Sequence, residues 1–105
     1  MGFVRAIAKS ELQPGQAKCV QLDGRKIAVF NVNGKFFATD DLCTHDEASL
    51  SEGSMYAEGC RCIVECPWHG SRFDLGTGDA LNLPAVKPVK TYPVREAGEA
   101  IEVEL

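Results

Sequence analysis

The chain has only two histidines, and a cysteine stands just before each of them. Cys43 and His45 belong to "CTH", and Cys66 and His69 belong to "CPWHG". Each pair offers one thiolate and one imidazole. Together they bring two sulfurs and two nitrogens to one site, a set that suits either zinc or iron–sulfur chemistry. Cys19, Cys60 and Cys62 have no histidine beside them. Cys19 lies in an apolar stretch and is expected to be a buried small side chain. Cys60 and Cys62 are expected to be unligated thiols in the connection between the two pairs.

The order within the pairs bears on the choice of metal. Zinc modules usually group two cysteines and then two histidines. Here each pair is mixed, which makes sense if two metal ions lie side by side. Each loop then sends its thiolate to an inner iron and its imidazole to an outer iron. A [2Fe–2S] cluster held in that way is a Rieske centre. Two ferric ions, two sulfides and two thiolates sum to zero charge, so an electron is added more easily than to a cluster with four thiolates.

Bulk composition narrows the rest. The 105 residues suffice for one domain, 1–105. A net charge of -4, with basic residues scattered, argues against a nucleic-acid partner. No stretch is apolar enough for a signal peptide or membrane span, so the expected location is cytoplasmic. In that compartment five cysteines read as thiols or metal ligands rather than disulfides. A catalytic reading fails on the histidine count. Both imidazoles are spent, so neither a hydrolytic dyad nor an additional mononuclear iron site can be built.

The elements that must position the pairs read as all-β: short apolar runs broken by turn dipeptides. "FVRAI", "AKCVQL", "KIAVFNV" and "KFFAT" are strand candidates. Asp23-Gly24 and Asn33-Gly34 are turns between them, the latter the strongest hairpin signal. "CIVEC", "SRFDL", "VKTYPV" and "AIEVEL" are further strands, and "GTG" (Gly76–Gly78) is a tight turn. From Asp40 to Gly59 the chain is polar and reads as loop. "DEASLSEG" within it is expected to form one helical turn stopped by Gly53.

On these residues the chain resembles the Rieske ferredoxin family. The resemblance rests on "CTH" and "CPWHG". It continues through "RFDLGTGDAL" (Arg72–Leu81) and the proline loop at "LPAV" (Leu83–Val86), and the strand spacing extends it over the whole chain. It implies a small antiparallel β-sandwich with a cluster-binding subdomain at about residues 40–85. Two ligand loops and a proline loop would form that subdomain. Cys43 and Cys66 would hold the buried iron, and His45 and His69 the outer iron that changes valence. Gly70 would let the backbone pass close to the sulfides, and the loop at Pro84 would cover the cluster.

Respiratory members of the family carry an extra cysteine in each ligand loop, and these form a disulfide. Ala48 and Trp68 stand at those positions, so the bridge is absent. A tyrosine that donates to a ligand sulfur is replaced by Phe73, whereas a serine that donates to a sulfide is matched by Ser71. The resemblance therefore implies a soluble, monomeric one-electron carrier in the low part of the Rieske range, which spans roughly -150 to +300 mV. Its partners would be a flavin-dependent ferredoxin reductase and a terminal ring-hydroxylating oxygenase of aromatic dihydroxylation. The alternatives are a Rieske-like small subunit of nitrite reductase and a structural zinc-binding module. The acidic stretch from Asp40 to Glu52 fits an acidic docking face or an ordinary solvated loop. Trp68 fits an exposed ring near the partner or a ring packed under the cluster.

Overall fold

In the computed structural model, residues 2–41, 49–59, 61–67, 70–81 and 88–105 are described. The strands are β1 (Phe3–Ala8), β2 (Ala17–Leu22), β3 (Arg25–Val32), β4 (Lys35–Asp40), β5 (Ser54–Glu58) and β6 (Arg61–Glu65). After them come β7 (Arg72–Asp74), β8 (Thr91–Tyr92), β9 (Val94–Ala97) and β10 (Ala100–Glu104). They form three antiparallel sheets in the orders β1-β10-β9, β2-β3-β4-β8 and β5-β6-β7. The all-β expectation holds. Among the described residues the helical content is two single 3₁₀ turns, at Lys9–Glu11 and Leu50–Glu52.

β3 explains the architecture. Side chains alternate across a strand, so its two faces carry different residues. Ile27 and Val29 enter one core with Ile7, Leu12, Ala38, Ile101 and Val103. Ala28, Phe30 and Val32 enter a second core with Leu50, Val64, Cys66, Phe73 and Leu75. A strand buried on both faces reads as a continuous apolar run, which is how "KIAVFNV" is written. Each fully buried aliphatic or aromatic side chain of this kind is worth about 1.5–3 kcal/mol.

Both dipeptide turns flanking β3 form as expected. Asp23 and Gly24 have φ of 51° and 78°, and Asn33 and Gly34 have 53° and 91°. Positive φ at both central positions defines the type I′ turn, whose twist matches its strands. Asn31 is buried and bonded through both polar atoms: Nδ2 donates to the Leu12 carbonyl and Oδ1 accepts from Gly34 N–H, each at 2.8 Å.

Two elements differ from the sequence reading. Ser54–Glu58 is a strand rather than part of a polar loop, pairing along its whole length with β6. Its polarity reflects position, since as the outer strand of its sheet it leaves several side chains in water. "VKTYPV" is two strands, because Pro93 has no N–H to give a ladder and the chain changes sheets there. The expected turn before Gly53 is present at Leu50–Glu52, while Asp46–Ala48 fall outside the described residues. Gly53 itself is extended at φ -81°, so left-handed capping is not its purpose. A Cβ there would overlap the Glu65 carbonyl oxygen, so glycine is needed for close approach.

Candidate metal centre

Of the four predicted ligands, the described residues include Cys66. Cys43, His45 and His69 lie outside them, as do Ala48, Cys60, Trp68 and Pro84. What the structure provides is the setting of Cys66 and the anchor points of the segments that carry the others.

Cys66 directly follows β6, and the period of two puts it on the face shared by Cys62 and Val64. It is 1% exposed, in a core with Leu50, Val64, Phe73, Leu75 and Val89. An uncompensated thiolate would be costly in such a place, whereas a thiolate bonded to a cationic metal is compensated. The donor chemistry therefore fits an iron–sulfur centre.

Three backbone closures surround it. Cys66 N–H donates to the Ser71 carbonyl at 2.6 Å, extending the β6–β7 ladder one step past Glu65 and Arg72. The reversal between them ends at Gly70, whose φ of +70° favours glycine. Among the described residues a Cβ at Gly70 would meet only Glu65 Oε2, at 3.9 Å, so backbone conformation is the visible demand.

The second closure ties the segment that holds Cys43 and His45. Leu50 N–H donates to the Asp41 carbonyl at 2.6 Å, and Ser51 N–H donates to Asp41 Oδ1 at 2.9 Å. Leu50 is fully buried in the core of Cys66. Gly53, bonded to the Leu50 carbonyl, then lies against Glu65.

The third closure ties the proline segment. Leu81 N–H donates to the Arg72 carbonyl and Val89 N–H to the Gly78 carbonyl, each at 2.8 Å. Gly78 has φ +85°, and a Cβ there would overlap the Val89 carbonyl oxygen. Gly53 against Glu65 and Leu81 bonded to Arg72 bring two of these segments to the Glu65–Arg72 end of the sheet, beside Cys66. Ser71 and Phe73 are both fully buried there.

The structure corrects two side-chain expectations, at Cys19 and in the acidic stretch. Cys19 is exposed on β2 rather than buried. Its thiol is pushed up to about 11, first by partial desolvation and then by the charge and hydrogen bonding of Asp41. Cys62 lies in β6, within the run read as a strand, and packs in the core as a free thiol.

The acidic stretch is not uniformly a docking face either. Asp41 is 3% exposed, and the Asp40 carboxylate accepts from the Tyr92 hydroxyl. Asp46 and Glu47 lie outside the described residues. Burial pushes the Asp41 carboxyl up, but hydrogen bonds from Ser51, Ser49 and Cys19 outweigh it and hold it below the usual carboxylate range. Sequence reasoning missed the roles of Asp41, Gly53 and Gly78. The available signal for Asp41 was an acid just after β4, with Ser49 and Ser51 on the far side of the segment it anchors.

Among the described residues no group of three or more metal-binding side chains forms a second site. Nor is any helix there long and apolar enough to cross a membrane.

Comparison with known proteins points the same way. The model of the Rieske [2Fe-2S] domain matches residues 2–93. The biphenyl dioxygenase ferredoxin subunit of Pseudomonas sp. strain KKS102 is 44% identical over 104 residues, 99% of this chain and 93% of that protein. The ferredoxin component of a naphthalene 1,2-dioxygenase system from Pseudomonas aeruginosa is 39% identical over 103 residues, 98% of this chain and 95% of that protein.

Among solved structures, the ferredoxin of carbazole 1,9a-dioxygenase from Nocardioides aromaticivorans IC177 superposes with a TM-score of 0.88 at 36% identity. It covers 98% of this chain and 97% of that one. A complex of reduced oxygenase and oxidized ferredoxin in carbazole 1,9a-dioxygenase contains a chain with a TM-score of 0.83 at 35% identity, covering 96% and 91%. A putative NADH-dependent nitrite reductase small subunit from Mycobacterium tuberculosis shares the fold at a TM-score of 0.87. Its identity is lower, at 30%, with coverage of 97% and 93%.

Proposed function

The chain belongs to the Rieske [2Fe-2S] domain family, as an electron-transfer component rather than a catalytic subunit; from that premise we propose how it holds its cluster and whom it serves. Cys43 and Cys66 would ligate one iron and His45 and His69 the other, within one domain spanning 1–105. When bound, such a cluster supplies storage for one electron. The chain's own residues do the rest. Leu50, Val64, Phe73, Leu75 and Val89 keep water from the Cys66 side. Ser71 brings a buried hydroxyl to the base of the same loop. Phe73 offers no hydroxyl, and Ala48 and Trp68 no disulfide, which favours the low part of the Rieske range.

The partners we propose are a flavin-dependent ferredoxin reductase upstream and a terminal ring-hydroxylating oxygenase downstream, with the carrier monomeric, soluble and cytoplasmic. The observation that carries this reading is near full-length similarity to ferredoxin components whose systems act on different aromatics. A carrier that never touches the substrate can be similar across such systems. The test is reconstitution: NADH, a flavin reductase, this chain and a terminal oxygenase. We expect aromatic dihydroxylation to depend on the chain. Failure of the cluster-loaded chain to accept electrons from the reductase, or to pass them to any such oxygenase, would refute the reading.

A further inference from the structure

Asp41 directly follows β4 and stands just before the segment carrying Cys43 and His45. It holds both ends of that segment. Its N–H donates to the Lys26 carbonyl at 3.1 Å, fixing the near end to β3. Its carbonyl accepts from Leu50 N–H and its Oδ1 from Ser51 N–H, fixing the far end. Side chains of Ser49, Ser51 and Cys19 also donate to the carboxylate. The group is almost fully buried, and no buried polar side-chain atom among the described residues lacks a partner. A buried carboxylate so fully occupied is a rigid negative charge.

We propose that Asp41 is a positioning residue for the [2Fe–2S] site: its carboxylate clamps the base of the Cys43–His45 segment, and its charge lowers the reduction potential. The proposal rests on the ligand assignment above. Reduction adds negative charge to the cluster, and a nearby carboxylate in a poorly screened setting opposes that addition. The hydrogen bonds to a charged acceptor are of the stronger kind, so losing them loosens the segment.

Two variants separate these effects. D41N keeps an oxygen acceptor for Ser51 N–H and removes the charge. D41A removes the acceptor as well. With purified, cluster-loaded protein, D41N should bind wild-type amounts of iron and sulfide and show a higher midpoint potential. D41A should release iron to a chelator about tenfold faster than wild type, as expected for loss of a charge-assisted hydrogen bond. If D41A does not fold, D41N decides by potential alone. D41N at the wild-type potential, or folded D41A with the wild-type rate of iron release, would overturn the proposal. A wild-type chain that binds no iron would overturn the ligand assignment and this proposal with it, so the two failures are told apart.

Discussion

The molecule reverses its chain in two different ways. At the hairpins Leu22–Arg25 and Val32–Lys35, two residues suffice, and their backbone conformation alone sets the turn. A Cβ at Gly24 or Gly34 would meet nothing within 4 Å. Elsewhere longer segments leave the strands and return, and their described ends are held by contacts between distant residues. Leu50 is bonded to Asp41, Leu81 to Arg72 and Val89 to Gly78. Tight turns serve the strands they join. The longer segments carry the proposed ligands, and their described ends are tied by backbone bonds around a packed core that includes Cys66. Substitutions should therefore cost function at the second kind of reversal and only stability at the first.

The largest effect should come from Cys66→Ser. It leaves the strands intact and removes a buried thiolate, so iron and sulfide binding should be abolished while far-UV circular dichroism keeps its strand signature. Retention of wild-type iron would exclude Cys66 from the site.

Next come paired glycine substitutions. Gly78→Ala imposes positive φ on a Cβ and drives it into the Val89 carbonyl, at an expected cost of about 2–4 kcal/mol. Gly34→Ala imposes the backbone penalty alone, about 1 kcal/mol. Urea unfolding of the two variants measures the gap, and equal costs would break the distinction between the two kinds of reversal.

These variants also show what was legible in advance. The turn dipeptides Asp23-Gly24 and Asn33-Gly34 and the apolar run of β3 depend on neighbours in sequence, so they could be read directly. The close approaches of Gly53 to Glu65 and of Gly78 to Val89 depend on residues brought together only by the fold. Asp41 belongs to this class, since its partners Ser49, Ser51 and Cys19 lie across the segment or on another strand. The misplacement of Cys19 has the same origin. β2 is an edge strand of its sheet, and an apolar pattern does not say which face of an edge is covered.

A smaller effect is expected at Ser71. Ser71→Ala should lower the midpoint potential modestly by removing a hydroxyl from the buried base of the Cys66 loop. Protein-film voltammetry reading no change, or a rise, would remove Ser71 from the set that tunes the site.

The smallest effect concerns Cys19, which should leave electron transfer untouched. The thiolate is the reactive form. Since the thiol is pushed up to about 11, its alkylation rate should keep climbing well beyond the range in which an unperturbed thiol levels off, near 8.5. Mass spectrometry of iodoacetamide-treated protein across pH follows this, and an early plateau would show that neither partial burial nor Asp41 raises the Cys19 thiol.

The central claim is that Cys43, His45, Cys66 and His69 hold one Rieske cluster. Iron and acid-labile sulfide analysis of the purified chain, combined with electron paramagnetic resonance after reduction, tests it most directly. The account predicts a reddish-brown protein with about two irons and two sulfides per chain and a signal that develops on reduction. A colourless protein containing one zinc and silent after reduction would contradict it.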